Sequence, residues 1–318
     1  MDRLSEVAER QKESFRTLRQ AARTFDDVQH QRIILANRLS HVAIEDEVGQ
    51  ALALMDDLDD VDGIPPTGHD VFDAFRAVEK EAKRWIRHVY KQAVPENVVK
   101  WQEQTAGISD YSLGRLLGEA GHPRLATPFR QVPNPNFDPD RPQSAKNEKR
   151  TTIPLEPRLR SMGEWWQRCG HGRPGRIPEG ASQEDVLKFG VPRAKMVVHL
   201  MMVACWKMDG VPNKNGQDRP LSAYRTVAEE TKARYSERTH TGPCTGGSVS
   251  TGDKVVFAKC KIDSSGAVMS RLSGSEFDHY ADVGDPYSPG HVQAIALRHA
   301  GKAMLADLYD AAEEDWCR

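Results

Sequence analysis

From Asp2 to about Asp57 the chain is nearly free of Pro and Gly and rich in Glu, Arg, Gln and Ala, residues that cost little in a helix. Phe15, Leu18, Ala22 and Phe25 recur at alternating spacings of three and four, which makes an apolar stripe on a helical surface. Leu35, Leu39 and Val42 extend that stripe after a phase shift, so the segment reads as one long helix or two and not as an unbroken heptad. A second amphipathic helix carries Phe72, Phe75, Val78, Ala82, Trp85, Val89 and Ala93 on one face with charges elsewhere. These two coiled-coil-like helices are expected to pair, within one chain or between two chains of a homodimer.

Residues 97–123 then read as two short helices joined by the tight turn Gly107-Ile108-Ser109, a helix-hairpin-helix. In the second helix Leu113, Leu116 and Leu117 share a face, Gly114 and Gly118 leave room for a close neighbour, and Gly121 followed by Pro123 ends it. Seven prolines between Pro128 and Pro157 exclude regular helix from most of that stretch. Ser161 with Glu164 forms a capping box for a Trp165-Trp166 helix that Gly170 closes, and Ser182 to Asp185 offers a second cap. The apolar run Met196 to Trp206 predicts a buried helix, Tyr224 to His240 a helix with a basic side (Arg225, Lys232, Arg234, Arg238), and Ser288-Pro289 the start of a closing helix. Between them, residues 241–290 are rich in Gly, Ser, Thr and Asp, with one alternating stretch, Lys254 to Ile262, that suits a strand or hairpin.

Composition narrows the setting. The 318 residues, 38% hydrophobic, suffice for one or two globular domains, and the net charge of −2 says little about partners. No apolar run approaches the ~20 residues of a membrane span, and the N-terminus lacks a signal core, so a cytoplasmic protein is expected. Five scattered cysteines suit reduced thiols better than a disulfide framework.

Charge distribution says more than the sum. From Arg141 to Arg176 nine basic residues face three glutamates, beside a hairpin whose backbone N–H groups and helix N-terminus would suit a phosphate. The alternative is a solvated basic linker beside a hairpin that only packs a core. Arg298 and Lys302, at i and i+4 in the closing helix, face either phosphate or water. Acids from Asp56 to Asp62 read as a solvated turn, since they lack the Gly-then-Glu spacing of a calcium loop. His199 reads as a hydrogen-bonded core histidine. His240, Cys244, Cys260, His279 and His291 raise zinc, but no C-x2-C or H-x3-H pair anchors them, and neither metal nor cofactor is expected.

The order of these motifs resembles the C-terminal domain of the DEDD insertion-sequence transposases, the bridge-RNA-guided recombinases, and especially truncated transposase-like frames of actinobacteria and their phages. The likeness covers roughly residues 70–308. It rests on the hairpin G-I-S before LLGEAG, the Trp helix ending Cys-Gly-His, K-F-G-V-P-R-A-K from Lys188 to Lys195, the tyrosine-bearing helix and the closing A-L-R-H-A-G-K-A-M-L. The resemblance implies nucleic-acid binding, but the family's ribonuclease-H-like domain with its metal-binding acids has no counterpart here. Where its nucleophilic serine belongs, the chain has Gly172 to Pro178, leaving Ser182 as the remaining candidate nucleophile.

The expectation is a mostly α protein: a helical pair over 1–94, a helix-hairpin-helix domain over 95–240 with a Pro-rich basic insertion at 128–160, a Gly/Ser-rich insertion over 241–290 with small irregular or β structure, and a closing helix over 291–318. It would bind double-stranded DNA or structured RNA without strand transfer, through Gly107, Ile108, Ser109, Arg115, Arg173, Arg176, Lys188, Arg193 and Lys195. The alternatives are an active recombinase or nuclease using Ser182 or acids such as Asp56 and Asp59, and a helical interaction protein that binds no nucleic acid.

Overall fold

The computed structural model describes residues 3–43, 66–126, 131–133, 152–154, 158–172, 189–244, 247–251, 254–258, 260–263, 265–269 and 277–313. Within them the protein is mostly α-helical, with a little β structure in short pieces. Helix α1 spans Arg3–Ala43 and α2 spans Pro66–Ala93. They pair within the chain and run antiparallel, as the contacts Arg32–Glu79 and Lys83 over the Phe25 ring require. Phe15, Leu18, Ala22 and Phe25 of the predicted stripe are all buried. On α2 the expected face is buried at Phe72, Ala82, Val89 and Ala93, but the buried surface reaches beyond it. Val78 is half exposed, while Ile86 and Tyr90 are in the core, because α2 is covered by α4 as well as by α1.

Helices α3 (Glu96–Glu103) and α4 (Asp110–Ala120) form the expected hairpin. Every residue from Leu113 to Ala120 is buried, so α4 is a central rod without a wet side. The two glycines set how closely it is packed. A Cβ at Gly118 would lie 3.0 Å from the Leu18 carbonyl oxygen, and one at Gly114 would lie 2.8 Å from Ile86 Cγ2. The carbonyls at the end of α4 are satisfied from outside: Arg19 donates to Gly118 O and Glu119 O, and Arg168 donates to Ala120 O.

Helices α5 (Met162–Arg168), α6 (Pro192–Lys207), α7 (Ala223–Ser236) and α8 (Pro289–Ala311) complete the core. The capping box between Ser161 and Glu164 forms as expected, and Ser288 caps α8 by accepting the His291 N–H. Both indoles of α5 anchor on α8, Trp165 Nε1 donating to Leu305 O at 3.1 Å and Trp166 Nε1 to Lys302 O at 3.2 Å. One apolar cluster runs from Phe15 on α1 through Leu116 on α4 to Leu308 on α8, so the helical pair and the hairpin region share a core. Burying each leucine of α4 contributes about 1.5–3 kcal/mol.

The strands are short. Antiparallel β1 (Leu125–Ala126) and β4 (Arg158–Leu159) pair, as do β2 (Gln131–Pro133) and β3 (Thr152–Pro154). Between α7 and α8 lie the hairpin of β5 (Gly247–Thr251) and β6 (Lys254–Ala258) and a three-stranded sheet of order β8 (Val268–Met269), β7 (Lys261–Asp263), β9 (Phe277–Tyr280). That region has its own small apolar cluster of Cys244, Cys260, Ile262 and Ala281, with Val268 against it. No helix of the described residues is long and apolar enough to cross a membrane.

Candidate nucleic-acid interface

The hairpin turn is built for packing. Gly107 has φ +90°, and a Cβ there would lie 2.7 Å from Cys205 Cα, so only glycine lets the turn rest on α6. Ile108 is buried, its N–H donates to Thr105 O, and its carbonyl accepts from Gln102 Nε2. The Ser109 N–H donates to Ser112 Oγ, and the Ser112 N–H donates back to Ser109 Oγ. The backbone donors of Ile108 and Ser109 expected to hold phosphate are therefore engaged within the hairpin. Asp110 adds a negative charge at the same helix end, where it pairs with Arg87 at 3.2 Å.

Arg115 also needs correcting as a surface contact. It is buried against the Phe25 and Tyr111 rings and pairs with Asp26 of α1. Beside it, Glu119 is buried and accepts from Arg23 Nε at 3.1 Å. Burial raises the pKa of Asp26, against the pull of Arg115. This arginine–carboxylate group ties α4 to α1. Arg173, Arg176, Lys188 and Ser182 lie outside the described residues, as do Asp56 and Asp59.

Arg193 and Lys195 are on the surface, in the first turn of α6. That helix starts at Val191 with Pro192 next, has no side-chain cap and no acid in its first turn. Arg193 reaches Glu119 at 3.8 Å and Asp26 at 4.0 Å, the outer limit of ion pairing. Lys195 lies over the Cys169-Gly170-His171 turn, where a Cβ on Gly170 would lie 2.8 Å from Lys195 Cβ. The turn at Gly190, φ +100°, packs on the same place, its would-be Cβ 2.5 Å from the Gly170 nitrogen.

Around this double turn the cations gather. Lys195 of α6 and Arg298 and Lys302 of α8 all lie near enough to His171 to act on its charge, and Lys302 sits 5.0 Å over the Trp166 ring. Burial holds the His171 imidazole down to a pKa of about 4, aided by Arg298, Lys195 and Lys302 and opposed by its hydrogen bond to Cys169 O. Burial and then Arg298 lower Lys195. Burial lowers His299, followed by Lys302, Arg234 and Arg298. His199, expected as a core histidine, lies on the outer side of α6, lowered by burial and by Lys195. Three helices thus bring cations of one sign together, an arrangement that an anion would relieve.

A second constellation lies at the other end of α8. His240, Cys244, Cys260 and His291 place one ligand atom each within 4.8 Å of one another, and they are the only group of three or more His, Cys, Asp or Glu side chains so placed among the described residues. His279 stands apart, exposed and 3.9 Å from Asp285. Cys260 Sγ is 3.3 Å and Cys244 Sγ 3.7 Å from His291 Nδ1. Burial and then His240 lower His291. The short spacing His240-x3-Cys244 was the available sequence signal; Cys260 and His291 join it only through the fold. No protein-family model, curated protein or solved structure matches the chain.

Proposed function

We propose that the protein binds double-stranded DNA or structured RNA without cleaving it, as a relative of the DEDD transposases that has kept a nucleic-acid-holding scaffold. The reading is carried by the convergence of Lys195, Arg298 and Lys302 around His171 beside the uncapped start of α6. Free N–H groups at a helix start and clustered cations both favour phosphate. The phosphate contacts accordingly move from the hairpin turn to the K-F-G-V-P-R-A-K segment and the middle of α8, with Arg193 at the edge. Basic residues such as Arg173 and Arg176 would add contacts that position the backbone without reading bases.

Fluorescence anisotropy with labelled duplex DNA and with a structured RNA, between about 50 and 200 mM salt, tests it. Affinity for one of them falling by roughly an order of magnitude or more over that range supports phosphate contact. Absence of binding at the lowest salt selects a helical interaction protein instead. That second reading is favoured by one observation, the exposure of Met196 (45%) and Leu200 (47%) one turn apart on α6.

A further inference from the structure

We infer that His240, Cys244, Cys260 and His291 form a closed structural zinc site that fastens the 241–288 insertion to the helical core. The ligand types are those of structural zinc, two thiolates and two imidazoles with no position left for water. Tetrahedral bonds of about 2.0–2.3 Å place ligand atoms roughly 3.3–3.8 Å apart. The separations of 3.3 and 3.7 Å from His291 Nδ1 to the two sulfurs already match, and with all four ligand atoms within 4.8 Å of one another a closure of about 1–1.5 Å at most completes the tetrahedron.

Three further features favour a cation. His240 Nε2 is buried without a hydrogen-bond partner, which is costly for an imidazole nitrogen unless something else satisfies it. Each sulfur accepts a backbone N–H: Cys260 N–H donates to Cys244 Sγ and Ser288 N–H to Cys260 Sγ, both at 3.3 Å. Ser288 Oγ, 3.2 Å from Cys260 Sγ, can rotate its proton toward a thiolate as well. Such donors stabilise negative sulfur, and two thiolates side by side require a positive charge between them. Both cysteines are free thiols, not a disulfide.

The need for such a fastening follows from the insertion itself. Among its described residues the buried apolar side chains are Cys244, Cys260, Ile262 and Ala281, a small cluster that a metal would reinforce. The ligands come from the exit of α7, the following loop, the residue just before β7 and the first turn of α8. Backbone bonds already position them: His240 N–H donates to Asp285 O at 2.7 Å, Cys244 N–H to Ala281 O and Ala281 N–H to Cys260 O at 2.9 Å each. A metal there joins points of the chain as far apart in sequence as His240 and His291.

The test is metal content of the full chain purified under reducing conditions without chelator, with cobalt reconstitution of the stripped protein. About one zinc per chain is expected, together with tetrahedral cobalt ligand-field bands and a thiolate charge-transfer band. Cys244→Ser and Cys260→Ser should each lose bound metal, while His279→Ala should keep it. Wild-type protein that carries no zinc and gives no tetrahedral cobalt spectrum overturns the site, whatever the cysteine variants do to folding. A Cys244–Cys260 disulfide found by mass spectrometry of freshly purified reduced protein, or loss of metal in His279→Ala, overturns it equally. The measurement is independent of nucleic-acid binding, so either proposal can fail alone.

Discussion

Gly107 rests on Cys205, so close that a Cβ added to the glycine would lie 2.7 Å from the Cys205 Cα and 2.9 Å from its sulfur. The turn of the hairpin is therefore a packing surface for α6. Gly107→Ala is expected to cost about 2–4 kcal/mol, combining a positive φ with overpacking against backbone. Gly121→Ala also has a positive φ, +83° with ψ −168°, but nothing within 4 Å of its would-be Cβ, so it carries backbone strain alone, about 1–3 kcal/mol, and should cost less than Gly107→Ala. Urea denaturation of both variants measures the difference; equal losses would show that the Cys205 contact is unimportant.

The Asp26–Arg115 pair gives a second prediction. Asp26→Asn leaves the buried Arg115 guanidinium without its anion, a loss of about 3–5 kcal/mol. The double variant Asp26→Leu with Arg115→Met removes both charges and should be more stable than Asp26→Asn. Thermal unfolding ranks them, and a double variant less stable than the single would mean that the pair contributes net attraction to α1–α4 docking.

His171 makes stability depend on pH. Its pKa in the folded protein is about 4, below the unfolded value near 6.5, so between these values the unfolded chain binds more protons. Stability should therefore be fully present above about pH 6.5, fall as pH drops toward 4, and level off below, by at most roughly 3 kcal/mol from this residue. In His171→Phe that portion of the pH dependence should vanish from chemical-denaturation curves measured at several pH values. An unchanged slope would mean that water reaches the imidazole.

Lys195→Gln with Lys302→Gln tests the cation cluster. If both lysines touch phosphate, the slope of log affinity against log salt should drop by about two. The exposed pair Lys91→Gln with Lys214→Gln should leave it unchanged. Equal effects from the two double variants would reduce the interface to diffuse surface charge.

The helices were readable because their ends carry local chemistry. Ser161 with Glu164 and Ser288 before Pro289 cap where the sequence places them, and the leucines of α4 follow the helical period. The exposed Val78 and the buried Ile86 and Tyr90 were misjudged because α2 is covered from two directions, and a single-face period assumes one. Arg115 looked like a surface cation because nothing local shows that α4 is buried all round or that Asp26, 89 residues earlier, neutralises it. The Cys–His residues were named from the sequence but set aside as a metal site for a related reason: 31 residues separate Cys260 from His291, and no spacing rule spans that distance.

The position of α8 also sets an order of events. It completes the core against α5, α6 and α7 and carries His291 to the cysteines, yet it lies behind the whole insertion in the sequence. A chain emerging from a ribosome must therefore keep the apolar faces of those three helices uncovered while residues 241–288 are synthesised, and only then close. During that interval the nascent protein is a client for chaperones and a target for proteases, and a translational pause within the insertion would lengthen its exposure.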